Sequence, residues 1–106
     1  LGTGGRFLVS ATWTTAQAEG AGQVAGLTPD TGAFWFFSAA NLELLVKVLD
    51  GCALNGQHWV FAAGLTNVGV TVTVTDTQTG AAKSYNNPAG VPFPPLQDTA
   101  AFGTCP

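Results

Sequence analysis

The residues able to do chemistry are few and scattered. A single histidine, His58, sits in Gln57-His58-Trp59. A serine nucleophile would have to come from Ser10, Ser38 or Ser84, and none of these lies in the G-x-S-x-G turn that lifts a hydroxyl toward a base. The six acids, Glu19, Asp30, Glu43, Asp50, Asp76 and Asp98, stand singly and mostly at turn signals. Glycosidase chemistry needs two carboxyls flanking one bond, whereas a lone Asp at a turn bonds nearby backbone amides. Asp30, Asp50 and Asp76 fall at predicted strand ends, but calcium needs several oxygens and no dense Asp/Asn loop supplies them. Two cysteines and one histidine fall short of the four ligands of a structural zinc. The pattern reads as non-catalytic, with no metal or cofactor.

Cys52 and Cys105 have another use. The chain contains no Met and starts at Leu1, which reads as a processed mature form or an excised fragment, signal-peptide removal being the usual cause. Two cysteines in such a chain predict a disulfide. Closed within one chain, it would stabilise the fold by roughly 4 kcal/mol on the loop-entropy account. It would also tie down the C-terminal end. An intermolecular bridge and two free thiols are the alternatives.

The remaining candidates are aromatic. In a strand, Phe34 and Phe36 face one way and Trp35 and Phe37 the other. A sandwich strand normally buries only one face. The second face is then covered by a loop or the proline-rich segment, or it meets another molecule. That molecule is either a second subunit or a sugar stacked on the rings. Trp13 and Trp59 raise the same choice. Phe34, Trp35, Phe36, Phe37, Trp13 and Trp59 are therefore the expected interface or ligand platform. The row Thr71, Thr73, Thr75 faces outward; ice binding would need a two-dimensional array, and one strand gives a line. Thr suits a solvent-facing strand by propensity, and its hydroxyls could carry O-linked glycans. The Gly-rich arm, residues 1–5, has no nucleotide-binding logic because no helix follows it. If ordered, it needs something to hold it, such as a neighbouring subunit's sheet edge.

Strands must position these groups. Residues 6–15 alternate, with Phe7, Val9, Ala11 and Trp13 on one face. Gly20 to Gly22 read as a turn, and further strands follow at 23–27, 33–38, 43–50, 57–63, 68–75 and 81–86. In the fourth of these stretches Leu44, Val46 and Val48 oppose Glu43, Leu45, Lys47 and Leu49. A helix over 39–49 competes on propensity, but Val46-Lys47-Val48 and the close at Asp50-Gly51 favour a strand. Four of the six prolines fall in residues 87–96. Residues 87–99 are therefore expected to run extended over the surface before 100–105 rejoin the body. The prediction is one all-β domain over 1–106: a β-sandwich of about seven strands, loosely immunoglobulin-like, without the usual Cys and Trp spacing of true immunoglobulin domains.

Charge narrows the partners. Only 8% of residues are charged, against about a quarter in ordinary soluble domains. Arg6, Lys47 and Lys83 are far apart in sequence, which argues against nucleic acid, where clustered cations neutralise phosphates. It argues equally against an anionic membrane surface. No apolar run is long enough to span a bilayer. Low charge also weakens the repulsion that keeps proteins apart.

The segments Phe34-Trp35-Phe36-Phe37, Val46-Lys47-Val48-Leu49-Asp50-Gly51-Cys52, Trp59-Val60-Phe61-Ala62-Ala63-Gly64-Leu65-Thr66 and Val74-Thr75-Asp76-Thr77-Gln78-Thr79-Gly80 together resemble an uncharacterised β-rich module of predicted secreted bacterial proteins. The resemblance spans Gly5 to Phe102. It implies a bacterial, extracytoplasmic setting and contributes no catalytic residue. The expectation is a non-catalytic extracellular structural protein, a homo-oligomer or polymer that builds a filament or surface layer. A carbohydrate-binding or adhesion module is the alternative.

Overall fold

Alternation of apolar and polar residues decides most of this chain. The computed structural model describes residues 1–106, the side chain of Thr3 excepted. Nine strands form among the described residues: β1 (Phe7–Thr14), β2 (Glu19–Ala21), β3 (Gln23–Gly26), β4 (Thr31–Trp35), β5 (Leu42–Gly51), β6 (Gln57–Gly64), β7 (Gly69–Asp76), β8 (Ala82–Asn87) and β9 (Leu96–Phe102). A single helical turn, α1 (Cys52–Asn55), joins β5 to β6. Two antiparallel sheets result, ordered β2-β1-β7-β8 and β3-β4-β5-β6-β9. The domain is all-β and sandwich-like, with nine strands rather than about seven.

The inward faces match the alternation. Val70, Val72 and Val74 of β7, with Phe7 and Ala11 of β1, pack against Phe34, Leu44, Val46, Val48, Val60 and Ala62. Residues 42–51 form a strand and not a helix, because this β-branched inward row fits a pleated sheet.

Three departures have local causes. Glu19–Ala21 is a strand, not a turn: one run of chain serves both sheets, as β2 and then β3, and changes sheet at Gly22. A Cβ at Gly22 would lie 3.1 Å from the Phe36 ring and 3.2 Å from the Ala11 carbonyl, so the corner has little room for a side chain. The aromatic strand starts at Thr31 and ends at Trp35, leaving Phe36 and Phe37 in a bend. The proline-rich segment is shorter than expected, since β9 already begins at Leu96. It also contributes to the core: Phe93 is buried against Gly64, where a Cβ would come within 2.3 Å of the Phe93 Cβ.

The N-terminal arm is held by its own chain. Leu1 accepts a hydrogen bond from the Phe7 amide at 2.9 Å and packs against Gly32 of β4.

The two long sides of the sandwich are finished differently. On one side the edge strands β8 and β9 are joined across the sheets. Asp98 accepts hydrogen bonds from Lys83 Nζ at 2.8 Å and Tyr85 Oη at 2.7 Å. Burial alone would raise the Asp98 pKa, but Lys83 and Tyr85 together bring it below the ordinary carboxylate range. Burial first, and then donation to Asp98, push the Tyr85 phenol up. The other side, β2 and β3, has one charge, Glu19.

Candidate functional site

Three places bring together side chains that the sequence keeps apart. The first is a buried polar cluster at one end of the sandwich. Arg6 precedes β1, and Asp76 closes β7. The Arg6 guanidinium donates to both Asp76 carboxylate oxygens at 2.8 Å, and both side chains are enclosed. It also donates to the carbonyls of Thr104, at 2.9 Å, and Pro106, at 2.7 Å. Thr104 Oγ1 and the Gln78 amide donate to Asp76 at 2.7 and 3.0 Å. The hydrogen bonds from Arg6 hold the Asp76 carboxyl well below the usual range against the opposing effect of burial. Asp76 in turn raises the Arg6 pKa.

His58 lies beside this pair, 1% exposed, its ring 5.0 Å from that of Phe7. A guanidinium can only donate, so the 3.4 Å contact between Arg6 Nη1 and His58 Nε2 is a hydrogen bond in the tautomer whose Nε2 accepts. Nδ1 has no partner among the described residues. Cys52 and Cys105 are bonded to one another with Cα atoms 5.8 Å apart, and Cys52 Sγ lies 3.5 Å from His58 Nε2. Both sulfurs and a His58 nitrogen fall within 4.8 Å of one another. Joined sulfurs are not thiolates, so this trio offers a metal one ring nitrogen. Ser10 and Ser84 lie on exposed outer positions of β1 and β8, and Ser38 bonds the Ala40 amide in the bend after β4. None is hydrogen-bonded to His58. The arrangement is a latch: it fastens the C-terminal end to the start of β1 and to the β5–β6 connection.

The second place is the aromatic cluster on the β2/β3 side. Phe34 and Phe36 lie in the core. Trp35 takes the opposite face by alternation and is half-buried, while Phe37 is 54% exposed. The Phe37 ring meets Trp13 edge-on at a centroid distance of 4.7 Å. Trp13 rests against Gly20, where a Cβ would come within 2.8 Å of the indole. The proline-rich segment connects β8 to β9, and Pro88 and Ala89 at its start share a pocket with Trp13 and Gly20.

The third place is the outer face of the five-stranded sheet. Thr31, Lys47, Phe61 and Gln97 lie in one row across β4, β5, β6 and β9. With Leu45, Ala63 and the Pro95-Leu96 step they line a shallow groove of about 410 Å³. Lys47 Nζ stands 5.3 Å from the centre of the Phe61 ring. Trp59 is nearly parallel to Phe61, at 14° and 6.1 Å. Its indole N–H donates to Asn55 Oδ1 at 2.9 Å, and the ring seats on Gly51, where a Cβ would come within 2.2 Å. Glu43 belongs to this face by alternation, yet it is buried at the bulge opposite β4, and its Oε2 has no partner among the described residues.

No family profile, curated protein or solved structure matches this chain. Among the described residues no helix is long and apolar enough to cross a membrane.

Sequence reasoning selected Trp13, Trp59 and the Phe34–Phe37 run but missed the Arg6–Asp76 pair and the Lys47–Phe61 row. The signal for that row was available: Lys47 and Phe61 both stand on the outward positions of strong alternations. The outer face of the four-stranded sheet also differs from the expected line of threonines. Thr73 aligns with Ser10 and Ser84, and Thr71 with Thr12 and Asn86, so hydroxyl and amide groups cover three strands. Adjacent strands turn by about 20° relative to one another, which takes these rows out of one plane and leaves a wettable face, with Glu19 opposite Thr14 at its β2 edge.

Proposed function

We propose that this chain is a non-catalytic structural module that associates with copies of itself through the free edge of β3. We read the sandwich as loosely immunoglobulin-like and the protein as secreted and bacterial. The intrachain disulfide supports that compartment, since such bonds persist where the surroundings are oxidising.

The observation that carries the reading is the contrast between the two sides. Natural sheets protect free edges with charge, proline or a bulge. The β8/β9 side has an inward ion pair, a register shift in β9 and the neighbouring prolines. The edge strand β3, Gln-Val-Ala-Gly, has none of these. Val24 is 70% exposed, and Leu27 just beyond β3 is 54% exposed. Two β3 strands meeting antiparallel give an isologous, closed pair. Growth into a filament or surface layer uses a second contact. Leu54 on α1 and Leu65 after β6 are exposed beyond opposite ends of β6, and a contact between them runs head to tail without closing.

Sedimentation or light scattering over a concentration series tests this. The expected result is a mass that rises to twice the monomer and beyond. Val24→Lys, which places a charge on the edge, abolishes the β3-paired dimer while its circular dichroism stays unchanged. A native chain that stays monomeric at millimolar concentration overturns the reading.

A further inference from the structure

We infer that the outer face of the five-stranded sheet binds an acidic polysaccharide, with Trp59 as the stacking platform and Lys47 as the carboxylate anchor. This inference is independent of self-association, which uses the β3 edge.

The chain has three basic residues. Arg6 is tied to Asp76 and Lys83 to Asp98, and these are the two ion pairs among the described residues. Lys47 is in neither. It is exposed at the middle of its sheet face, beside an aromatic ring, in a chain of net charge −3. Lys47 is the exposed charge on this face, Glu43 being buried at its margin, and an exposed ammonium beside aromatic rings favours an anionic ligand over a neutral one.

The second observation is how Trp59 is held. A tryptophan that only fills space needs no fixed orientation. This indole has one: its N–H is bonded to Asn55, whose amide also donates to the Thr99 carbonyl at 2.8 Å, and its ring occupies the space left by the missing Cβ of Gly51. It remains half-buried, with part of its surface open to solvent. A ring fixed before binding loses little entropy when a ligand stacks on it. The C–H face of a pyranose is the natural complement of such a ring.

Spacing joins the two. Lys47 Nζ stands over Phe61, and Phe61 lies 6.1 Å from Trp59 in a nearly parallel plane. A sugar on Trp59 thus places the next unit of its chain at the ammonium. A uronate carries its carboxylate on the ring, where it can meet that ammonium. Thr31 and Gln97, at the two ends of the Lys47–Phe61 row, offer a hydroxyl and an amide to the sugar hydroxyls. A nucleic acid is a poor fit, because one unpaired cation cannot follow a phosphate backbone.

The test is calorimetric titration with two oligosaccharides of the same linkage, hexamannuronate and uncharged mannohexaose. Hexamannuronate is expected to bind about tenfold more tightly than mannohexaose, a difference of ~1.4 kcal/mol. Added salt weakens the acidic sugar alone. Lys47→Gln, an exposed change, removes the preference and leaves weak binding of both sugars. Trp59→Ala removes binding of both. The inference is overturned if neither sugar binds, if both bind equally to the native protein, or if the preference survives Lys47→Gln. Repeating the titration on Val24→Lys separates this site from self-association: sugar binding persists there even where assembly is lost.

Discussion

Asp76→Asn is expected to lower the stability of this protein by about 3 kcal/mol or more at neutral pH, the usual cost of removing one partner from a buried ion pair. For a domain of this size that corresponds to a fall in Tm of roughly 12 °C or more. The substitution keeps the volume and removes the charge, so a guanidinium that donates to both carboxylate oxygens now faces a neutral amide. The pH dependence follows from the depressed Asp76 pKa, held down chiefly by Arg6. In the unfolded chain an Asp protonates near pH ~3.9. A group whose pKa is lower when folded contributes stability that is complete above the unfolded value and is lost as pH falls from there toward the folded value. The native protein should therefore lose stability steeply below pH ~4. Asp76→Asn should show a shallower acid limb, kept in part by Asp98, whose pKa is also lowered. Urea denaturation at several pH values measures both quantities. A variant with the native acid slope would show that Asp76 does not carry this linkage.

Replacing both cysteines, Cys52→Ser with Cys105→Ser, is expected to cost about 4 kcal/mol, because the bond spans 53 residues and restricts the unfolded chain accordingly. The loss should have a location. Thr104 to Pro106 are held by the disulfide, by Arg6 and by the Thr104–Asp76 hydrogen bond, so without the disulfide their attachment rests on the Arg6–Asp76 pair. Amide exchange should speed up from β9 to the C-terminus and change least in β5 and β6, the middle of the sheet. Because both variants act on one cluster, their costs are not additive when combined. Equal urea midpoints for the oxidised protein and the double-serine variant would falsify the expectation.

Much of the frame was readable from residue order alone. Leu44, Val46 and Val48 announce their buried face, as do Val70, Val72 and Val74, because a period of two is a local property. The disulfide was readable because two cysteines leave one intrachain pairing. Long-range polar chemistry was not. Arg6 and Asp76 are 70 residues apart, and Asp76 stands next to a turn, where an Asp normally has a local job. It does that job too, accepting from Gln78, which hides the larger one. Gly20 to Gly22 read as a turn because glycine marks turns, whereas here it lets one chain change sheets. Trp59 stood out by type, but its seat on Gly51 and its bond to Asn55 depend on α1, a helical turn too short to leave a periodic signal.

The latch at Arg6 also decides how the molecule answers a pull on its ends. The N-terminal end enters the four-stranded sheet at β1, an inner strand. The C-terminal end leaves from β9, an edge strand that tension would otherwise unzip one hydrogen bond at a time. Cys105 diverts that load through its sulfur to Cys52, and so to the junction of β5 and β6 inside the other sheet. Because Arg6 bonds the Thr104 and Pro106 carbonyls, both points of load lie at the same end of the sandwich, and tension between them first meets these hydrogen bonds and then the packing between the sheets at that end. In a module linked in series with others through its ends, reduction of that one bond would move the load from the middle of the sheet to the edge strand β9.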